Sequence, residues 1–521
     1  MTVLIAGLTA VPIWYLIWRR WQRGLEGLVI AMPLMGALAL WLYPAVWPRA
    51  LKDLFLIGPL YLSVIANGVL RQAIRQTKKS LIVLMILLSA LTLAECFNPH
   101  VMNWKMAFIG AKVWLSYLPL LPLGMLWLQN DRDRLRALRC IVWSSLLPAI
   151  VALIQWFGDY RYGYVSTMTA FYGEAAAGAC QNFASFLIGN QYIFRVPGTF
   201  TFAAQLYCYL FSVIPMAYSL IRMETSPARR VTAQALFWLL IFTGFICGVR
   251  AAYIFIPLLL LTIYVLDRRP VAGFGVAAIS VLLLLFSLQA PILFAHPTTN
   301  KDETTRVTVP IPLAVNPALK PNGKTPIFVM PTPTTRTVTI PVSPAMKNRP
   351  DPAMNKLSWR LAHIKKSIID MRLWSHMMTN LVIGYGSHLV MGTFIDSLRR
   401  APFGEGTGTN TGAARYVVPH PESFFGVENY FSKTVMELGF PGLLILAGLF
   451  GIIVASGFKG LRAIDLGPQH SLLAALVAYL VLTLIYNFKG LALDLDPMNV
   501  FFWLFSGILL RLTSTPDGHA E

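Results

Sequence analysis

The sequence predicts an all-α polytopic membrane protein of about twelve to thirteen transmembrane helices, with one long extramembrane loop. Three observations lead there. Of 521 residues, 56% are hydrophobic and only 13% charged, against about 25% charged in an ordinary soluble domain. The mean hydropathy is +0.61. Apolar runs such as residues 81–93 and 254–266 recur along nearly the whole chain. A soluble protein of this length would need a polar skin that so few charges cannot make.

A helix needs about 20 mostly apolar residues to cross the hydrocarbon core. Spans are expected near residues 2–18, 27–47, 53–70, 80–96, 108–129, 140–158, 199–221, 232–248, 251–266, 271–293, 433–456, 470–486 and 498–510. The first is read as a span and not as a signal peptide, because Arg19 and Arg20 follow its apolar run and no basic residue precedes it. The five cysteines (Cys96, Cys140, Cys180, Cys208 and Cys247) have neither CxxC nor metal-ligand spacing and read as small buried hydrophobes.

The net charge of +20 resembles that of a nucleic-acid binder, yet the basic residues sit in short clusters between apolar runs. No soluble domain carries a basic patch, so no nucleic-acid partner is expected. One set of alternate connections holds eighteen basic residues, in clusters at 19–23, 71–79, 132–139, 222–230, 268–269 and 459–462. The opposite short connections hold seven: Arg49, Lys52, Lys105, Arg161, Arg195, Arg250 and Lys489. The positive-inside rule then places the first set in the cytoplasm, the amino terminus outside, and the carboxyl terminus with Arg511 inside.

This reading divides the chain into a bundle of about ten spans over 1–293, an outer loop over 294–432, and helices with a short cytoplasmic tail over 433–521. Loops this long are usually functional. Residues 297–352 contain twelve prolines and a near-repeat, 304–310 echoed by 334–341, with Asn322-Gly323 almost midway. An extended hairpin and an unstructured tether both fit. Over 355–382, Leu357, Leu361, Ile364, Ile368 and Met371 recur at helical spacing, which reads either as an amphipathic helix on the outer membrane surface or as a plain packing helix. Residues 401–412 (APFGEGTGTNTG) read as a flexible Gly/Thr segment without the Lys-Ser/Thr ending of a P-loop.

The candidate chemistry lies at the outer face. Arg195 and Arg250 stand at the outer ends of spans, where an arginine either snorkels to lipid phosphate or meets a bound anion. Guanidinium matches phosphate bidentately. Glu428, just before the eleventh span, is placed either as a general base or in an ion pair with Lys433 or Arg415. Glu437, deeper in that span, reads as a hydrogen-bond partner for a neighbouring helix. His420 is a loop histidine, catalytic or merely solvated. No HExxH, GxSxG or paired-carboxylate spacing is present, so no metal or other cofactor is expected.

In order along the chain come Arg195-Val-Pro-Gly-Thr-Phe200, Gly248-Val-Arg-Ala-Ala252, Trp359-Arg360, Gly384-Tyr-Gly386, and Glu428-Asn429 followed by Gly439. This order resembles the O-antigen ligase and polymerase superfamily of membrane glycosyltransferases, the WaaL and Wzy types, over roughly residues 190–450. The resemblance implies a GT-C-like helical fold in the bacterial inner membrane, with the long loop and active site periplasmic. It also implies an undecaprenyl-diphosphate-linked oligosaccharide donor and a glycan acceptor, with membrane lipids and a chain-length regulator or export complex as further partners. By motif position, Arg195, Arg250 and Arg360 take the role of contacting the donor diphosphate. His420 and Lys433 are additional candidates near the reacting groups.

Where the ligases of that superfamily carry a histidine as base, this chain carries Glu428. The resemblance therefore points to polymerisation of repeat units of an exopolysaccharide or O-antigen, by inversion and without metal. Transfer to lipid A–core is the alternative within the superfamily. A lipid-linked glycan flippase or transporter, which would place ionisable groups near the bilayer midplane, and a non-catalytic scaffold are the rivals from other classes.

Overall fold

The computed structural model describes residues 2–43, 45, 47–181, 185–188, 191–294, 306–308, 337–339, 393–412, 427 and 429–514. The described chain is helical apart from two short antiparallel ribbons. The helices are α1 (Thr2–Arg19), α2 (Trp21–Trp41), α3 (Gly58–Ala66), α4 (Val69–Gln76), α5 (Lys79–Glu95), α6 (Trp104–Leu115), α7 (Leu120–Trp127), α8 (Asp131–Ser144) and α9 (Leu146–Tyr162). After α10 (Tyr164–Tyr172) and α11 (Glu174–Gln181) come the ribbon strands β1 (Ser185–Ile188) and β2 (Gln191–Phe194). The chain continues through α12 (Ala203–Met223), α13 (Pro227–Ile246), α14 (Arg250–Leu266) and α15 (Pro270–Phe294). Strands β3 (Arg306–Thr308) and β4 (Thr337–Thr339) follow, then α16 (Thr393–Arg400), α17 (Tyr430–Ala463), α18 (Pro468–Tyr486) and α19 (Met498–Ser514).

The membrane character is carried by the helices. Seven helical stretches among the described residues, two of them made by adjoining helices (α6 with α7 and α8 with α9), are long and apolar enough to cross a bilayer, or eight with one bent pair. That is fewer than the twelve to thirteen expected, for identifiable reasons. The apolar helices α14 and α19 stop at 17 residues each. The run expected at 53–70 is a π turn leading into α3, and it breaks by 81° before α4. The span expected at 140–158 is present but longer, because the basic cluster 132–139, expected in a connection, forms α8 at its start, whose Asn130 cap accepts from the Asp133 N–H at 2.8 Å. The helix carries Arg139 to the end of α12, where Nε and Nη2 donate to the two Glu224 oxygens at 3.0 and 2.7 Å.

Burial separates the centre of the bundle from its rim. Of the apolar stretch of α12, 83% is buried, and of α18, 72%, whereas for α15 the share is 22%. The centre is aromatic: Phe211 and Tyr479 lie 6.0 Å apart, Tyr479 and Phe505 5.5 Å, and Ser212 Oγ donates to the Tyr479 hydroxyl at 3.0 Å. Such a polar tip must find a partner where no water reaches. The rim exposes Leu62, Val83, Ile86, Phe108 and Leu282, as a lipid-facing surface does.

The two arms of the Pro/Thr-rich near-repeat do pair. Arg306 lies opposite Thr339, Val307 opposite Val338 and Thr308 opposite Thr337, which is the hairpin alternative over these residues. The amphipathic helix expected at 355–382 lies outside the described residues.

Candidate functional site

Arg195 follows directly on β2 and is half-buried. It is held by the turn that comes after it. The Gly198 N–H donates to Gln155 Oε1 at 2.9 Å, and Gln155 Nε2 donates back to the Gly198 carbonyl at 2.9 Å. The Tyr172 hydroxyl of α10 donates to the same carbonyl, and Thr199 Oγ1 donates to the Pro33 carbonyl in α2. Gly198 has a φ of 59°, and a Cβ there would stand 3.1 Å from the Pro148 carbonyl oxygen. Side chains or backbone from α2, α9 and α10 thus fix the Arg-Val-Pro-Gly-Thr-Phe motif, and with it the start of α12.

Arg250 is the first residue of α14, after the turn at Gly248 and Val249, and is also half-buried. The fold brings the two arginines within electrostatic reach of each other. Burial first, and the Arg250 charge second, lower the Arg195 pKa from its usual value. Cys247, Tyr253 and Tyr486 also lie close to Arg195. Tyr486 meets Tyr207 edge-on at 5.4 Å and Phe255 at 5.2 Å, and the buried Tyr207 hydroxyl has no hydrogen-bond partner among the described residues. Two cations side by side in a partly desolvated site favour an anion between them.

The start of α17 stands at the same end of the bundle. Asn429 caps it, Oδ1 accepting from the Phe431 N–H at 2.9 Å and the Ser432 N–H at 3.3 Å. The Tyr430 N–H donates to the Asn487 carbonyl at 3.0 Å, and Asn487 follows Tyr486, which lies within electrostatic reach of Arg195. Asn429 itself is buried, and its Nδ2 has no partner among the described residues. Arg195, Arg250, Asn429 and Lys433 are therefore gathered around the connection between α18 and α19. Glu428, Arg360 and His420 lie outside the described residues.

Lys433 is fully buried, and its ammonium donates to both Asp494 oxygens at 2.7 Å, 4.7 Å from the Trp114 ring centroid. Burial pushes the Asp494 carboxyl up, with Lys433 opposing. The lysine is thus neutralised within the fold. Glu437 does hold a neighbouring helix: Oε2 accepts from Trp114 Nε1 at 2.7 Å. Its other oxygen accepts from the Asn410 N–H and Thr411 Oγ1, both at 2.9 Å.

Those last contacts belong to the Gly/Thr segment 401–412, expected to be flexible, which is hydrogen-bonded into a break in α17. Gly439 has a φ of 69°, and the Phe440 N–H donates to the Pro402 carbonyl at 2.8 Å. A Cβ at Gly439 would stand 2.5 Å from the Phe403 carbonyl carbon.

A second network was not foreseen from the sequence. Lys52 Nζ lies 2.8 Å from Asp53, 2.9 Å from Asp496 and 2.7 Å from the Tyr117 hydroxyl, while Lys112 pairs with Asp53. The available signal was Asp494-Leu-Asp496-Pro, two carboxylates in one short connection between apolar helices. Asp494 serves Lys433 and Asp496 serves Lys52.

The chain matches no known family model and no curated protein.

Proposed function

We propose that this protein is a bacterial inner-membrane glycosyltransferase of GT-C-like architecture. It would take an undecaprenyl-diphosphate-linked glycan as donor on the periplasmic face and polymerise repeat units of an exopolysaccharide or O-antigen. The observation that carries this reading is the convergence of Arg195 and Arg250, 55 positions apart in the sequence, with Tyr253 and Tyr486 close by and the Asn429 cap at the same end of the bundle.

The chemistry balances with these groups. An acceptor sugar hydroxyl attacks the anomeric carbon, its oxygen forming the new glycosidic bond with inversion. The bond from that carbon to the phosphate oxygen breaks, and the lipid diphosphate leaves with the electron pair. Arg195 and Arg250, fixed in advance, stabilise the charge that develops on it. The Glu428 carboxylate accepts the hydroxyl proton. Lys433, already satisfied by Asp494, positions the first turns of α17 and does not bind donor.

The flippase reading draws less support. The buried charges Lys433 and Glu437 sit in the first turns of α17, and the other described networks sit in or near connections. A transport pathway would set such groups at mid-membrane.

The test is to feed reconstituted protein a fluorescent undecaprenyl-diphosphate oligosaccharide and resolve the products. A ladder of longer lipid-linked glycans is expected. Transfer onto added lipid A–core with no ladder would replace polymerase by ligase. Glu428→Gln should keep donor binding and lower turnover by about 10²–10⁴-fold. Polymer of normal length and rate from that variant would sink the base assignment.

A further inference from the structure

The far end of the same helices carries a second cluster of arginines. Arg250 opens α14, and Asp267, Arg268 and Arg269 follow its last residue. Seventeen residues of helix at a 1.5 Å rise separate the two ends by roughly 25 Å. Arg222, in the last turn of α12, lies at this end too, as does the start of α18. Together they enclose an open cavity of about 350 Å³ lined by Arg222, Asp267, Arg268, Arg269, Gly467 and Ser471.

The one carboxylate there is already occupied. Asp267 accepts from the Tyr218 hydroxyl at 2.5 Å and from Ser471 Oγ at 2.9 Å, and its Oδ1 lies 3.2 Å from His470 Nδ1. Arg269 approaches it only to 3.6 Å. Among the described residues the Arg222 guanidinium is hydrogen-bonded through Nε alone, to Ser471 Oγ at 3.3 Å. Arg268 has no side-chain hydrogen bond or ion pair among the described residues. Three guanidinium groups thus face one cavity with a single carboxylate, itself saturated, to balance them.

The backbone adds an independent sign. Arg268 is the one non-glycine residue with positive φ, 56°, among the described residues. It occupies the position after a helix where glycine is the ordinary choice. A large side chain kept in that strained conformation points to a use for it. The neighbouring start of α18 has glycine at its cap and no side-chain cap, so its positive dipole end is also turned toward this region.

We propose that this cavity is a second anion site, which takes a phosphate group. The ligand is either the headgroup of an anionic phospholipid or a soluble phosphate. Basic pockets between membrane helices recognise lipid headgroups in this way, and guanidinium forks match phosphate oxygens. The site is independent of the glycosyltransferase reading.

The test uses the full chain in neutral detergent, with phosphatidylglycerol, phosphatidylcholine and inorganic phosphate as separate probes. Retained ligand is counted by native mass spectrometry and binding is followed by thermal shift. Phosphatidylglycerol should bind and phosphatidylcholine should not. A shift with inorganic phosphate as well identifies a free-phosphate site; its absence identifies a headgroup site. Arg222→Gln should weaken binding on the order of tenfold, the loss of one charge-assisted pair. Arg268→Gly removes the guanidinium while relieving the backbone, so it should weaken binding comparably and leave the ligand-free melting temperature unchanged or higher. Equal binding of phosphatidylcholine, or unaltered affinity in Arg268→Gly, would overturn the proposal.

Discussion

At one end of the bundle, two pairs of charged residues are built on opposite plans. Lys433 is fully buried and pairs with the nearly buried Asp494 at 2.7 Å. Arg195 and Arg250 are half-buried and carry the same sign, and the Arg250 charge adds to the cost of charging Arg195. In the first, the lysine taken from water has met a carboxylate, and a second one, Glu437, lies 3.9 Å away. The second brings two like charges together, an arrangement suited to an anion. The two pairs thus differ in what each cation is set beside: a carboxylate for Lys433, another guanidinium for Arg195.

The contrast can be broken most directly at the buried pair. Lys433→Met leaves Asp494 buried without its counter-charge and should destabilise the protein by about 3–5 kcal/mol, whereas replacing both partners by apolar residues should recover most of the loss. Unfolding of detergent-solubilised variants measures both, and a mild single variant would show that the pair is not what holds α17 to the 487–497 connection.

For the arginines the expectation is reversed. Arg195→Gln and Arg250→Gln should each lower transfer about 10²–10³-fold. Their unfolding free energies should stay within about 0.5 kcal/mol of the parent. Loss of folded protein together with activity would move these arginines to the structural side of the comparison.

Two smaller effects sharpen the geometry of the first turns of α17. Gly439→Ala meets both a left-handed backbone and the Phe403 carbonyl, at a cost of about 1–3 kcal/mol. Limited proteolysis within 401–412 should become faster as that segment leaves the break in α17. Asn429→Ala removes the cap of the same helix and should cost about 1 kcal/mol, read as a lower melting temperature with the membrane-inserted fold retained.

Much of this architecture is legible in the residues alone. The apolar runs at 251–266 and 470–486 became α14 and α18 to within a few residues, because hydropathy is a sum over neighbours in sequence. Arg195 and Arg250 each stood out as basic residues at the end of an apolar run. Their meeting did not, nor did the Lys52 and Asp496 pair or the bond from Trp114 to Glu437, which joins positions 323 apart. The Gly/Thr segment misled for a related reason. Its composition suits a flexible linker, but Glu437 Oε1 and the break at Gly439 supply the partners that order it.

The sequence by itself determined the membrane class, the placement of most helices and the identity of the cations that need balancing, since transfer of a side chain from water depends on the side chain and its neighbours along the chain. Only the tertiary structure decided which cation met a carboxylate and which met another cation. Charge pairing depends on distances of a few ångströms between helices far apart in sequence, and only the packing of the bundle fixes those distances.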